Sequence, residues 1–195
     1  MSLFERLSGF APWALASLLL AGIVHLASIL LMPQVAPRDS FARLAAYLEP
    51  GGVHALPAVV PGQEVLPFLD PAFAYAACGY DLSAAPLRLR AVFAPGALVS
   101  MSFQSRKGQL YYSLTDRAAS RGKIDILVLT AAELAAVEAQ DNEDEALQEL
   151  RLLAPDRRGF VLLRALAVTP GDFAQAQSRL AAVTCAPEPQ GSQQK

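Results

Sequence analysis

The stretch "PWALASLLLAGIVHLASILLMP", Pro12 to Pro33, limits what this chain can fold into more than any other part of it. From Ala11 to Met32, 22 residues pass without a carboxylate, a lysine or an arginine. As a helix at 1.5 Å per residue the run is about 33 Å long, close to the roughly 30 Å hydrocarbon core of a bilayer. A soluble helix apolar on every side needs protein around its full circumference, and a remainder of about 160 residues has little to give. Residues 1–33 therefore read as an N-terminal membrane anchor. The alternative is a cleaved secretory signal, whose apolar region is usually shorter. The sequence that follows, "MPQVAPRDS", makes a poor small-x-small cleavage site, with Gln34 two residues before Ala36 and Pro37 just after it. An uncleaved anchor is preferred.

Sidedness rests on two opposed signals. Basic flanks are slight, Arg6 against Glu5 before the run and Arg38 and Arg43 around Asp39 after it, and the positive-inside rule leans weakly to a cytoplasmic body. The two cysteines lean the other way. Cys78 in "AYAACGYDL" and Cys185 in "AAVTCAPEP" stand near opposite ends of the remaining chain. In an exported domain such a pair can staple the C-terminal end back to the first structured segment; two unrelated thiols are the plainer reading. We take the bacterial cytoplasmic membrane as the location, with a single span and the body on its periplasmic side.

His25 is the one ionisable side chain inside the apolar run. A residue of this kind within a membrane segment is a functional hypothesis by default, because charging it there is costly. Neutral imidazole can hydrogen-bond a neighbouring helix, and Ala21, Gly22 and Ser28 are small residues beside it. A helix-helix contact and a passive, tolerated residue are both open readings. A proton or metal role has no second ionisable group in the segment to support it.

Prolines at 33, 37, 50, 57, 61, 67 and 71 remove backbone donors and restrict the residues before them, so residues 34–69 read as a linker. About 30 extended residues of such an arm, at about 3.1 Å each, hold a body as far as roughly 90 Å from the membrane, a reach that a helical insert or docking shortens. One short helix interrupts it. Ser40 can cap "FARLAAYLE", with Phe41, Leu44, Tyr47 and Leu48 on one face, resting on the bilayer or docking on the body.

The body, residues 70–185, reads as α+β, an antiparallel sheet with a few packed helices. Asp70-Pro71 resembles an N-cap and N1 pair, and a helix is preferred over a strand for "DPAFAYAACGYDL". "LRLRAVF", "ALVSMSFQS" and "GQLYYSLTD" alternate apolar and polar residues and are joined by turn signals, which predicts a three-stranded meander. "KIDILVLT" is a fourth strand. Thr130 with Glu133 three residues later predicts a capping box for the helix "AAELAAVEAQ". "ALQELRLL" and "GFVLLRALAV" are further strands. A last helix, "PGDFAQAQSRLAAVTC", buries Phe173, Ala176, Leu180 and Val183, and residues 186–195 form a disordered tail.

The central block contains "YDLSAAP", then Arg106 and Gly108, then Tyr112-Ser113 and Asp116-Arg117. With Tyr80, Asp81, Ser83 and Pro86 these positions resemble the DUF1254 family of bacterial proteins of unknown function, over roughly residues 65 to 170. Ala85 stands where that family commonly has glycine, and Thr115 where its short form commonly has asparagine. The resemblance implies a sheet-rich envelope protein of the short, membrane-anchored form, often found beside a companion with a related DUF1214 domain. It implies no reaction.

Read physically, Asp81 and Ser83 build a turn into the next strand, and Asp116 pairs with a nearby cation or caps a loop. The functional alternative gathers Arg88, Arg90 and Arg106 with Tyr111 and Asp116 into a basic, aromatic-edged cleft for an anionic ligand or headgroup. Enzyme signatures are thin. His25 and His54 are the only histidines, and no metalloprotease, nucleophile-elbow, paired-cysteine or phosphate-loop spacing is present, so neither a catalytic set nor a metal or cofactor is expected. A carboxylate site on Asp81 and Asp116 is the remaining enzyme reading. A net charge of -2 with dispersed basic residues argues against nucleic acid. The expected function is a non-enzymatic accessory or interaction subunit, contacting membrane lipid and a membrane-protein partner. A small-ligand or lipid-binding module is the alternative.

Overall fold

The computed structural model describes residues 3–35, 39–49, 51–94, 96–141 and 149–188. It separates into two units, Met1–Asp39 and Ser40–Lys195. The first is one helix, α1 (Leu3–Val35). Within it Phe10–Met32, 23 residues, is long and apolar enough to cross a membrane, and none of it is buried by protein. Ser28 donates its hydroxyl to the Val24 carbonyl at 2.8 Å. That polar group is thus satisfied inside its own helix, as an apolar solvent requires.

The second unit is α+β. Its strands are β1 (His54–Ala55), β2 (Phe73–Asp81), β3 (Leu87–Val92), β4 (Val99–Ser105), β5 (Leu110–Thr115), β6 (Lys123–Leu129), β7 (Leu150–Leu153), β8 (Arg158–Leu166) and β9 (Thr184–Pro187). Its helices are α2 (Ser40–Leu44), α3 (Ala131–Glu138) and α4 (Phe173–Ala181). Sheet A has the order β1-β2-β8-β4-β5 and is antiparallel throughout; sheet B has the order β7-β6-β3-β9, with β6 and β7 parallel. Alternation on each strand fills the space between the sheets. Ala76, Cys78, Met101, Phe103 and Leu163 face Leu89, Ile126 and Val128 there, and α4 adds Ala176 and Leu180. The Thr130–Glu133 capping box forms as its spacing predicts.

Four expectations are corrected. "FAYAACGYD" is strand β2, not a helix. It shows no alternation because both its faces are buried, which removes the period-2 signal a one-sided strand carries. The predicted meander is divided: β4 and β5 form a hairpin in sheet A, while β3 belongs to sheet B between β6 and β9. Alternation reveals that a strand has one buried face, not which sheet it joins. The segment read as an extended arm is packed from Ser40 onward. Leu44, Leu48, Leu56 and Leu66 are buried with Tyr75, Ala77 and Phe160 on the outer face of sheet A. The amphipathic face of α2 and the turn after it thus docks on the body. Leu56 donates its amide to the Tyr75 carbonyl at 2.9 Å, so the proline-rich chain is tied as well as packed. Ala186 and Pro187, read as tail, end β9; residues 189–195 and the acidic stretch 142–148 lie outside the described residues.

Cys78 on β2 and Cys185 on β9 are joined as a disulfide with Cα atoms 6.6 Å apart, linking the two sheets across 107 residues of chain. Closing so long a loop removes about 4–5 kcal/mol of unfolded-state entropy in the loop-closure account. The Cys78→Ala/Cys185→Ala double variant is expected to lose stability of that order in denaturant unfolding; an unchanged midpoint would count against a structural bond.

Gly79 reports on the docked segment. A Cβ there would fall on the Leu48 backbone and side chain. Gly79→Val is expected to cost about 1–3 kcal/mol as an overpacked contact. It should also speed tryptic cleavage after Arg43, an exposed residue of α2, while leaving the disulfide intact.

Candidate functional site

The outer face of sheet B is a closed ion network. Arg88 on β3 meets Asp125 on β6 at 2.8 Å, Glu149 at 2.8 Å and Glu188 at 3.3 Å. Arg90 reaches the same Asp125 at 3.2 Å. Arg151 on β7 joins Glu149 at 3.1 Å and Asp141 at 2.5 Å. Burial pushes the Asp125 carboxyl up, and the Arg88 and Arg90 guanidiniums together hold it below the usual range. The hydrogen-bonded Arg151 guanidinium does the same to Asp141. This network occupies its own charges. It holds β9 through Glu188 and the helix-strand connection through Asp141 and Glu149.

The predicted basic cleft does not assemble. Arg88 lies on the outer face of sheet B, whereas Arg106 follows β4 of sheet A and stacks over the Phe41 ring of α2, 4.3 Å from its centroid. The core stands between them. Tyr111 turns to Tyr80, their hydroxyls 2.9 Å apart, and Tyr80 also donates to the Gln104 carbonyl at 3.3 Å. Asp116 accepts the Leu98 amide at 3.3 Å. A face of alternating arginines has a period but no address, and only the strand register decides which carboxylates it meets.

The remaining motif residues have local work. Asp81 accepts the Ser83 amide at 2.9 Å, the turn its spacing predicts, and hydrogen bonds from the Ser83 side chain and then its amide hold the carboxyl below the usual range. The Pro86 carbonyl accepts the Glu188 amide at 2.7 Å. Tyr112 packs edge-on to Phe103, with ring centroids 6.3 Å apart. Burial pushes the Tyr80 hydroxyl up to about 12 and raises Tyr111 further, so both stay protonated at neutral pH and act as hydrogen-bonding groups. Gly159 makes this arrangement possible, since a Cβ there would collide with the Tyr80 hydroxyl and the Gln104 carbonyl. That role is invisible in sequence, because it depends on a partner 79 positions away.

Sequence reasoning missed the outer face of sheet A beyond α2. There a shallow trough of about 820 Å³ follows β4, β5 and β8, floored by Ser100, Ser102, Ser113 and Thr115 and walled by Phe68 and Leu110. Arg164 on β8 lies in it, donating to the Ser100 hydroxyl at 2.6 Å and stacked over Phe73 at 5.3 Å. Arg117, just past β5, lines its far end. Among the described residues no group of three or more histidine, cysteine, aspartate or glutamate side chains is placed to hold a metal ion.

No family model matches the chain, and no curated protein matches it. Among solved structures it is similar to a Vibrio parahaemolyticus protein at 13% identity, with a TM-score of 0.47 over 66% of this chain and 33% of that one. An uncharacterized Burkholderia cenocepacia protein is similar at 8% identity, with a TM-score of 0.46 over 80% of this chain and 40% of that one. The chain thus spans well under half the length of either.

The ion network gives a signed pH dependence. Asp125 and Asp141 have folded pKa values depressed below their unfolded values. Their stabilisation is therefore complete above the unfolded value, near 4, and is lost as pH falls through the folded value. Thermal unfolding from pH 7 to pH 3 is expected to show a falling midpoint below about pH 4. Arg88→Met should cost about 2–3 kcal/mol at neutral pH by stranding partly buried carboxylates, and should flatten the acid limb. An acid limb as steep as the wild type would disprove the assignment to this network.

Proposed function

We propose that this chain is a single-span envelope protein of the DUF1254-like kind, whose body sits on the periplasmic side and works as a non-catalytic accessory or interaction module. The observation that carries the reading is the Cys78–Cys185 disulfide, enclosed in the core of a body that follows an apolar helix. Disulfides persist in oxidising compartments, and a bond linking the two sheets is suited to a domain on that side of a membrane. Arg88 and Arg90 engage Asp125, and the Tyr80 and Tyr111 hydroxyls bond each other, so these groups serve the fold, which suits an interaction module. A companion with a membrane helix, DUF1214-like or otherwise, is the partner class; His25 is the side chain we place at that helix-helix contact.

Alkaline carbonate extraction should leave the chain in the membrane pellet, and protease added to spheroplasts should digest a C-terminal epitope. An epitope lost only after lysis would reverse the sidedness. Crosslinking in mild detergent is expected to recover a stoichiometric membrane protein, with the yield reduced in His25→Ala. Recovery of the chain alone would remove the accessory role.

A further inference from the structure

The trough on sheet A gathers two arginines that meet no carboxylate among the described residues. Arg88, Arg90, Arg151 and Arg158 each have a carboxylate within 4.0 Å. Arg164 and Arg117 have none among the described residues; Arg164 is held by a hydroxyl and a ring. The acids that flank Phe68 and Arg117 in sequence turn to backbone amides: Glu64 accepts from Gly62, Asp70 from Ala72 and Asp116 from Leu98. Two guanidiniums above a floor of serine and threonine hydroxyls form a donor set for an oxyanion.

Phe68 supplies the second half. It is 102% exposed on the trough wall, and its backbone is at φ 63. A bulky side chain in the left-handed region is uncommon and strained, and here the strain keeps an aromatic ring pointing away from the protein. Leu110, 56% exposed, lines the same trough. Aromatic tips beside cations are the pattern of a surface that meets the polar-apolar boundary of a bilayer.

Chain length decides the occupant. Residues 33–39 are all that lies between the apolar span, which ends at Met32, and the body, which begins at Ser40. Even fully extended they reach no more than about 30 Å. The segment that starts at Ser40 covers the same outer face of sheet A, and the trough begins beside it at Gln104 and Leu110. On the anchored reading the short tether keeps a lipid surface within reach of the body at high local concentration.

We infer that the trough of sheet A docks on an anionic bilayer surface, with lipid phosphates at Arg164 and Arg117 and the Phe68 ring at the headgroup boundary. This rests on the membrane-anchored reading, but not on which side the body occupies.

The test uses the full chain in nanodiscs, with Phe68→Trp in a Trp13→Phe background, so that the only indole reports position 68. Lipids with brominated acyl chains quench an indole that reaches the boundary. Strong quenching is expected with equal parts phosphatidylglycerol and phosphatidylcholine, and little with phosphatidylcholine alone. Arg164→Gln and Arg117→Gln should each lower the docked-to-undocked ratio roughly five-fold, and added salt should weaken it further. Arg164→Lys and Arg117→Lys, which keep the charge, should retain quenching. Fluorescence from the position-68 indole that stays unquenched in both nanodiscs overturns the inference. So does a response to inorganic phosphate or polyglutamate in neutral nanodiscs without one to anionic lipid, which would assign the trough to a soluble anion or an acidic chain. Failure of the chain to insert into nanodiscs at all would instead refute the anchored reading.

Discussion

Strands β2 and β8 pair over nine residues, from Phe73 opposite Leu166 to Asp81 opposite Arg158, and both are covered on two sides. Much else in the body follows from that double burial. Four packed positions of β2 are small: Ala74, Ala76, Ala77 and Gly79, beside the buried Tyr75 and Tyr80, let α4 approach on one side and the chain around Leu48 on the other. Small residues sacrifice apolar area but bring three layers close enough for dispersion contacts to accumulate. The larger side chains stand on the partner elements, as Phe160 on β8, Leu180 on α4 and Leu44 on α2.

The proline-rich segment is suited to be the third layer. A regular strand over sheet A would bring a second ladder of amides needing partners, whereas a chain with prolines at 57, 61, 67 and 71 has fewer donors to satisfy. Its buried contacts come from Leu56 and Leu66 on irregular backbone, continuing those of Leu44 in α2 and Leu48 in the turn after it. Proline density thus marks a departure from regular structure without marking a departure from the core. The distinction lies in the apolar residues between the prolines.

Much of the fold is legible in the sequence wherever one face of an element is wet. The alternation of β3 and β4 and the buried stripe of α4 depend on a contrast between two faces, the capping box of α3 on a local spacing, and each appears at its expected position. Where both faces are dry the contrast vanishes, and for "FAYAACGYD" it leaves the Asp70-Pro71 cap signal, which favours helix, with no alternation to oppose it. Sheet membership is illegible for a different reason: β3 and β4 are neighbours in sequence and carry the same period, yet pair with β6 and β8 in different sheets. The site is less legible still. Chemistry alone groups Arg88, Arg106, Tyr111 and Asp116, and the topology spreads them over two sheets.

Arg90 and Arg164 make the same point about charge. Each is an exposed arginine on the outer face of a strand whose alternate residues are core, and nothing in the local sequence separates them. Register does. Arg90 stands directly opposite Asp125, so its charge is met across the ladder. Arg164 stands between Tyr75 on β2 and Ser100 on β4, which offer a ring and a hydroxyl but no negative charge. Cross-strand neighbours set what an exposed side chain is worth. In sheet B they yield a neutralised clasp that holds the C-terminal strand, and in sheet A they leave a cation beside a line of hydroxyls. The difference between a neutralised face and one that keeps a cation is made by residues 35 to 89 positions away along the chain, so it emerges only once the strands have paired.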